Sequence, residues 1–168
     1  QNFKSDKSGY EAIHRKAVLN TTAANINGKK ASTDDLKSLQ MVSLDKASPQ
    51  EKVTYYKNAY LLALQIHNFQ EAKKANAMLL GLKEINKSDK QEAINNRIWL
   101  AEMELDFKTA YVYTKQLSGR MTADKAFRLL ALAEMAHIDA STHEKEFLKL
   151  SKNKSLRASV IEIGRAHV

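Results

Sequence analysis

Catalysis needs particular side chains at particular spacings, and this chain offers few of them. It has 168 residues, with five histidines, 19 acidic residues and no cysteine. Gly9, Gly28, Gly81, Gly119 and Gly164 stand alone, and none precedes a Lys-Ser/Thr pair, so no loop is built to cradle a phosphate. No His-Glu-x-x-His pair is present. His137 and His143 lie six apart across an expected turn, a spacing that does not set both on one helical face. Glu102/Glu104 and Glu144/Glu146 are i, i+2 pairs, which diverge around a helix and cannot share a proton or a sugar. No serine occupies a Gly-x-Ser-x-Gly elbow. The missing cysteines remove disulfides, thiolate zinc sites and thiol catalysis together. The expectation is a protein that is not an enzyme and holds no metal or cofactor.

Binding is then the chemistry left to consider. The net charge is +8, carried by 27 basic against 19 acidic residues. Lysines outnumber arginines 21 to 6 and run along the whole chain. Local clusters are confined to Lys29-Lys30, Lys73-Lys74 and Lys149/Lys152/Lys154/Arg157. A nucleic-acid footprint concentrates arginine and interleaves stacking aromatics, so this distribution reads as solvated helix faces and argues against a nucleic-acid partner. No apolar run reaches the about 18–20 residues of a membrane span. Trp99, between Ile98 and Leu100, reads as core or inter-repeat packing, and Tyr55 and Tyr56 point about 100° apart on a helix.

The elements that would position any site are helical. One proline and five glycines leave too little turn material for a many-stranded sheet protein. Residues 1–9 are polar and expected to be loose. Tyr10, Ile13 and Ala17 mark a short first helix, weakened into loop from Asn20-Thr21-Thr22 onward. Thr33 is the expected N-cap of a helix carrying Leu36, Leu39 and Val42. Ser48-Pro49-Gln50-Glu51 is the strongest start signal, a capping box with proline at the first helical position. Val53, Tyr56, Tyr60 and Ala63 follow at helical spacing, and Asn68 opens a second helix carrying Ala72, Ala75, Leu79 and Leu82 to about Asn86. Ser88 starts the next long helix, with Ile94, Ile98, Ala101 and Leu105 inward, and Asp106 turns into its partner. Thr122 opens a helix with Phe127, Leu130, Ala131 and Met135 inward, and Phe147, Leu148 and Leu150 line the one after Asp139.

Long helix, tight turn and shorter helix thus recur, with pivots at Asn68, Asp106 and Asp139 separated by 38 and 33 residues. Such a period, with two helices per unit, marks a helical solenoid whose units bury their apolar stripes against each other. His67-Asn68-Phe69-Gln70-Glu71-Ala72 and Leu105-Asp106-Phe107-Lys108-Thr109-Ala110 place an aromatic shortly before a small residue at the turn. In this the chain resembles the tetratricopeptide repeats, over about residues 48–150. The family's first-helix glycine is replaced by Tyr60, Ile98 and Ala131, and the third unit lacks both aromatic and alanine. The resemblance implies an all-α fold of antiparallel helix–turn–helix repeats stacked as a short right-handed solenoid, the alternative being an antiparallel helical bundle. It also implies that Phe69, Ala72, Phe107 and Ala110 pack the repeats.

Alignment on the three pivots groups Lys57, Asn95 and Arg128, and beside them Leu61, Trp99 and Leu132. A ladder of Lys, Asn and Arg next to an apolar ladder suits a groove for an acidic or carboxylate-ended peptide. The expected function is a non-catalytic protein–protein interaction scaffold with Lys57, Asn95, Trp99 and Arg128 in its groove. Alternatives are a sensor or regulatory module of a larger exported or membrane-anchored signalling protein, and a basic helical nucleic-acid binder. The expected organisation is an N-terminal helical segment over 1–47, a repeat region over 48–162, and a non-native tail over 163–168. That last hexapeptide reads as the translation of an adapter oligonucleotide, which would leave Arg165 and His167 without function. A chain beginning at Gln1 is expected to have lost something upstream, and its composition favours a periplasmic or extracellular place.

Overall fold

Every element is helical because the stretches between turn signals carry apolar residues at three- and four-residue spacing and no interior proline. The computed structural model describes residues 3–166, so His167 lies outside them. Among the described residues there are nine α-helices and no strand. The chain forms two compact units, residues 1–93 and 94–168.

The first unit contains α1 (Phe3–Asn27), α2 (Thr33–Gln40), α3 (Pro49–Gln65), α4 (Phe69–Leu80) and the opening of α5 (Lys87–Met103). The long α3 packs against α1, α2 and α4, and Leu39, Leu62, Ala63, Ala72 and Leu79 are almost wholly buried. The proposed cap of α3 is present in full: Ser48 accepts from Glu51 N–H, Glu51 returns the bond, and Pro49 takes the first position. The first helix departs from expectation. It runs unbroken through Asn20-Thr21-Thr22, and its inward stripe is Arg15, Leu19, Thr22 and Ile26, leaving Tyr10, Ile13 and Ala17 exposed. Both stripes have helical spacing; α3 selects one by donating Asn58 Nδ2 to Leu19 O (3.2 Å) and Gln65 Nε2 to Ile26 O (2.8 Å). Three boundaries also shift. Ser32, not Thr33, caps α2 with Asp35. Helix α4 stops at Leu80 rather than Asn86. Asn86 rather than Ser88 accepts from Asp89 N–H at the head of α5 (2.8 Å).

The second unit contains the rest of α5 with α6 (Phe107–Gln116), α7 (Ala123–Met135), α8 (Ser141–Leu150) and α9 (Lys154–Ala166). Helix α7 packs on both α6 and α8, and α9 packs on α8. The buried stripe of α7 is Ala126, Leu129, Leu130, Leu132 and Ala133, one notch round from the expected Phe127 and Met135, which are exposed. In α8 the inward residues are His143 and Phe147, while Leu150 faces out. Basic side chains close the ends of the short helices. Lys125 Nζ donates to Leu117 O (2.7 Å) after α6, and Arg157 donates to Leu148 O and Ser151 O after α8. Cations there meet the negative end of the helix dipole.

One turn occurs four times. At the ends of α1, α3, α5 and α7 a residue with left-handed backbone, Lys29, His67, Leu105 or His137, has φ between 53° and 57°. The next N–H then reaches back five residues, Lys30 to Asn25, Asn68 to Ala63, Asp106 to Ala101 and Ile138 to Ala133, each at 2.8 Å. This is the Schellman closure of a helix end. The equivalent positions 30, 68, 106 and 138 are separated by 38, 38 and 32 residues. The pairing α1–α2 is therefore a helical hairpin of the same kind as the later three, and the third sequence pivot moves from Asp139 to Ile138. Glycine tolerates this conformation without the about 1–2 kcal/mol that an L side chain meets there. Leu105→Gly, at a site 72% exposed, is expected to stabilise the chain by about 0.5–1 kcal/mol, read as a higher urea midpoint at unchanged m-value.

Candidate functional site

The turn equivalence changes which residues correspond. Lys57 and Asn95 now align with Phe127 rather than Arg128, and Leu61 and Trp99 align with Ala131 rather than the buried Leu132. The two bases expected to receive an acidic ligand are already engaged. Lys57 Nζ on α3 lies 3.0 Å from Asp89 and 2.8 Å from Glu92, both of α5. Those bonds, Glu92 first, hold its ammonium above the usual lysine range although burial opposes them. Arg128 on α7 pairs with Glu102 of α5 at 2.8 Å. Spacing along the chain gave no sign of these acids, because each lies one helix away in space.

What the second unit offers on α5 and α7 is a half-exposed apolar surface around that ion pair. Asn95, Trp99 and Glu102 share one stripe of α5, and Arg128, Ala131 and Met135 share one stripe of α7. Trp99 is 42% exposed, Met103 51% and Met135 47%. The Arg128–Glu102 bridge sets these two stripes side by side and cancels its own charge. A tryptophan and two adaptable thioethers can desolvate against an apolar side chain, and polar groups at their margin can fix its orientation. Phe127 is turned aside, its ring packed on Phe147 with centroids 5.4 Å apart.

The repeat-packing residues divide. Ala72 and Ala110 are fully buried, where a larger side chain would push the two helices of a hairpin apart. Phe69 is 40% exposed, its ring beside His67, and Phe107 is half-buried. The histidines separate as well: His137 sits exposed in its turn, whereas His143 is buried and shares a 2.9 Å hydrogen bond with Tyr111 Oη. Among the described residues no group of three or more His, Cys, Asp or Glu is placed to hold a metal ion, and no helix is long and apolar enough to cross a membrane. Of the acidic pairs, Glu102 turns to Arg128 and Glu146 to His143, so neither pair converges. No family model, curated protein or solved structure matches this chain.

Proposed function

We propose that this chain is a tetratricopeptide-like scaffold that binds a protein partner through the outward face of its long helices, making and breaking no covalent bond. The observation that carries the reading is the fourfold recurrence of one hydrogen-bonded turn after a long helix. That recurrence supports reading α1, α3, α5 and α7 as corresponding helices of a repeat, the kind of unit from which solenoids build their recognition faces. Trp99, Met103 and Met135 would receive apolar side chains of the partner, and the Arg128–Glu102 pair would form the polar margin. An apolar-centred peptide suits this surface better than an acidic one, because Lys57 and Arg128 are both neutralised within the protein.

Peptides selected on the full chain from a random library provide the test. Binding should shift the emission of Trp99, the chain's single tryptophan, to shorter wavelength as water leaves it. Trp99→Ala and Met135→Ala, followed by calorimetry, should each weaken binding about tenfold or more, equivalent to about 1.4 kcal/mol. Selected peptides that bind the doubly substituted chain as tightly as the parent would overturn the reading.

A further inference from the structure

Helices α1 and α3 leave a cleft of about 440 Å³ between them, beside the head of α3. Two adjacent rows of α1 line it, Arg15 with Leu19 and Lys16 with Asn20, and the first turn of α3 brings Gln50 and Glu51. All six residues belong to the first unit, and the two helices that carry them pack directly on each other. Pockets that take small molecules have volumes of roughly 300–1,000 Å³, so this cleft falls toward the lower end of that range.

The polar groups of its walls divide into fixed and free. Arg15, 4% exposed, donates Nε to Glu51 and Nη1 to Ser43 O and Asp45 O, while among the described residues its Nη2 has no acceptor. Glu51 is engaged by that bond and by the Ser48 cap. The side chains of Lys16, Asn20 and Gln50 are exposed and make no hydrogen bond or ion pair among the described residues. The charged members of the wall among those residues are Arg15, Lys16 and Glu51. Arg15 and Glu51 pair with each other, so Lys16 sets the sign of the cleft.

From these walls we infer that the α1–α3 cleft binds a small carboxylate that also carries hydroxyl or amide groups. Its carboxylate lies against Lys16 Nζ and the free Nη2 of Arg15, where charge-assisted bonds are the strong ones. Its polar groups exchange hydrogen bonds with the carboxamides of Asn20 and Gln50, each of which both donates and accepts. Its carbon body covers Leu19, which is 6% exposed. The guanidinium is already held in place by Glu51 and two carbonyls, so little of it must be ordered on binding. One net positive charge matches a monoanion, whereas the second charge of a phosphate ester would meet the Glu51 carboxylate. The cleft shares no residue with Trp99, Met103 and Met135, so its fate and that of the partner-binding surface are decided separately.

The probes are glucuronate and N-acetylglycine, titrated into the isotope-labelled full chain at millimolar concentration and low salt. Glucose and N-methylacetamide serve as their counterparts without the carboxylate. Each carboxylate should shift backbone amides within residues 12–20 and 48–54, and its neutral counterpart should bind about tenfold more weakly. Lys16→Gln, at an exposed helix position, should weaken both carboxylates about fivefold while the melting temperature stays unchanged. Lys83→Gln removes the same charge elsewhere on the first unit and should leave their affinity within about twofold. Equal weakening by both substitutions would reduce the effect to overall charge and overturn the proposal. So would equal binding of the neutral counterparts, shifts confined to amides outside the two segments, or no shift from either carboxylate. Tighter binding of inorganic phosphate than of both carboxylates would overturn it too, since the cleft would then be reading charge alone.

Discussion

Replacing Arg15 by alanine should destabilise the first unit by about 2–3 kcal/mol, the cost of losing charge-assisted hydrogen bonds from a buried guanidinium whose acidic partner, Glu51, is itself 38% exposed. Arg15 is 4% exposed within a long helix, and its guanidinium ties together three pieces of chain. Its Nε donates to Glu51 at the head of α3, and Nη1 donates to Ser43 O (3.1 Å) and Asp45 O (3.4 Å) in the α2–α3 connection. Alanine would orphan those acceptors and open a cavity under α3. Arg15→Met, which keeps much of the volume, should recover part of the loss, and urea unfolding followed by far-ultraviolet dichroism would measure both. The pair also has a pH signature. The bond from Arg15, with those from Ser48, holds the Glu51 carboxyl below its ordinary 4.5 against the opposing effect of burial. A depressed folded-state pKa adds stability above the unfolded value and forfeits it as pH falls through the folded one. Stability of the parent should therefore fall more steeply below about pH 4.5 than that of Arg15→Ala, and matching acid limbs would contradict this account.

The second large effect belongs to the other unit. Phe147→Ala should cost about 3–5 kcal/mol, because the ring is 2% exposed and packs on Phe127. For a chain of this length the loss corresponds to a fall in melting temperature of about 10 °C. Hydrogen exchange would place it: amides of α7 and α8 should lose protection, including Ser151 N–H, which bonds to Phe147 O at 2.8 Å. A fall of only one or two degrees would mean that the cavity collapses, and that α8 is held by Arg157 and the Tyr111–His143 bond instead.

The contrast between these residues shows which parts of the fold local sequence can announce. Ser48-Pro49-Gln50-Glu51 is readable because every group it needs lies within four residues, and the structure forms the cap as expected. Asn68, Asp106 and Thr122 cap their helices for the same reason. Arg15 is not readable in this way: its acceptors lie 28 to 36 residues on. Nothing in the sequence near it distinguishes it from a solvated base. The same holds for Lys57, whose partner Asp89 stands 32 residues away. Lys57 and Arg128 read as ligand-seeking from the sequence only because their acids arrive from another helix.

Helix faces show the intermediate case. Helix α1 has two apolar stripes at helical spacing, one through Tyr10 and Ile13 and one through Leu19 and Ile26, and periodicity alone cannot rank them. Packing chose the second, where Asn58 and Gln65 could satisfy their amides on α1 carbonyls. Helix α7 divides, because its apolar residues occupy more than half of its circumference: Leu130 is buried as expected, while Leu129 and Ala133 take the inward places expected of Phe127 and Met135. The register of the last hairpin moved by one residue because Asp139, the residue resembling a cap, follows the turn rather than closing it.

By itself, then, the sequence determined the all-α character, the absence of cysteine chemistry, the starts of α3, α4, α6 and α7, and the alternation of long and short helices. Each rests on interactions within a few residues or on composition. Only the tertiary structure decided which stripe of each helix is inside, which charges are cancelled and that α1–α2 shares the turn of the later hairpins. Those outcomes depend on side chains meeting across helices, where distance along the chain carries no information about distance in space.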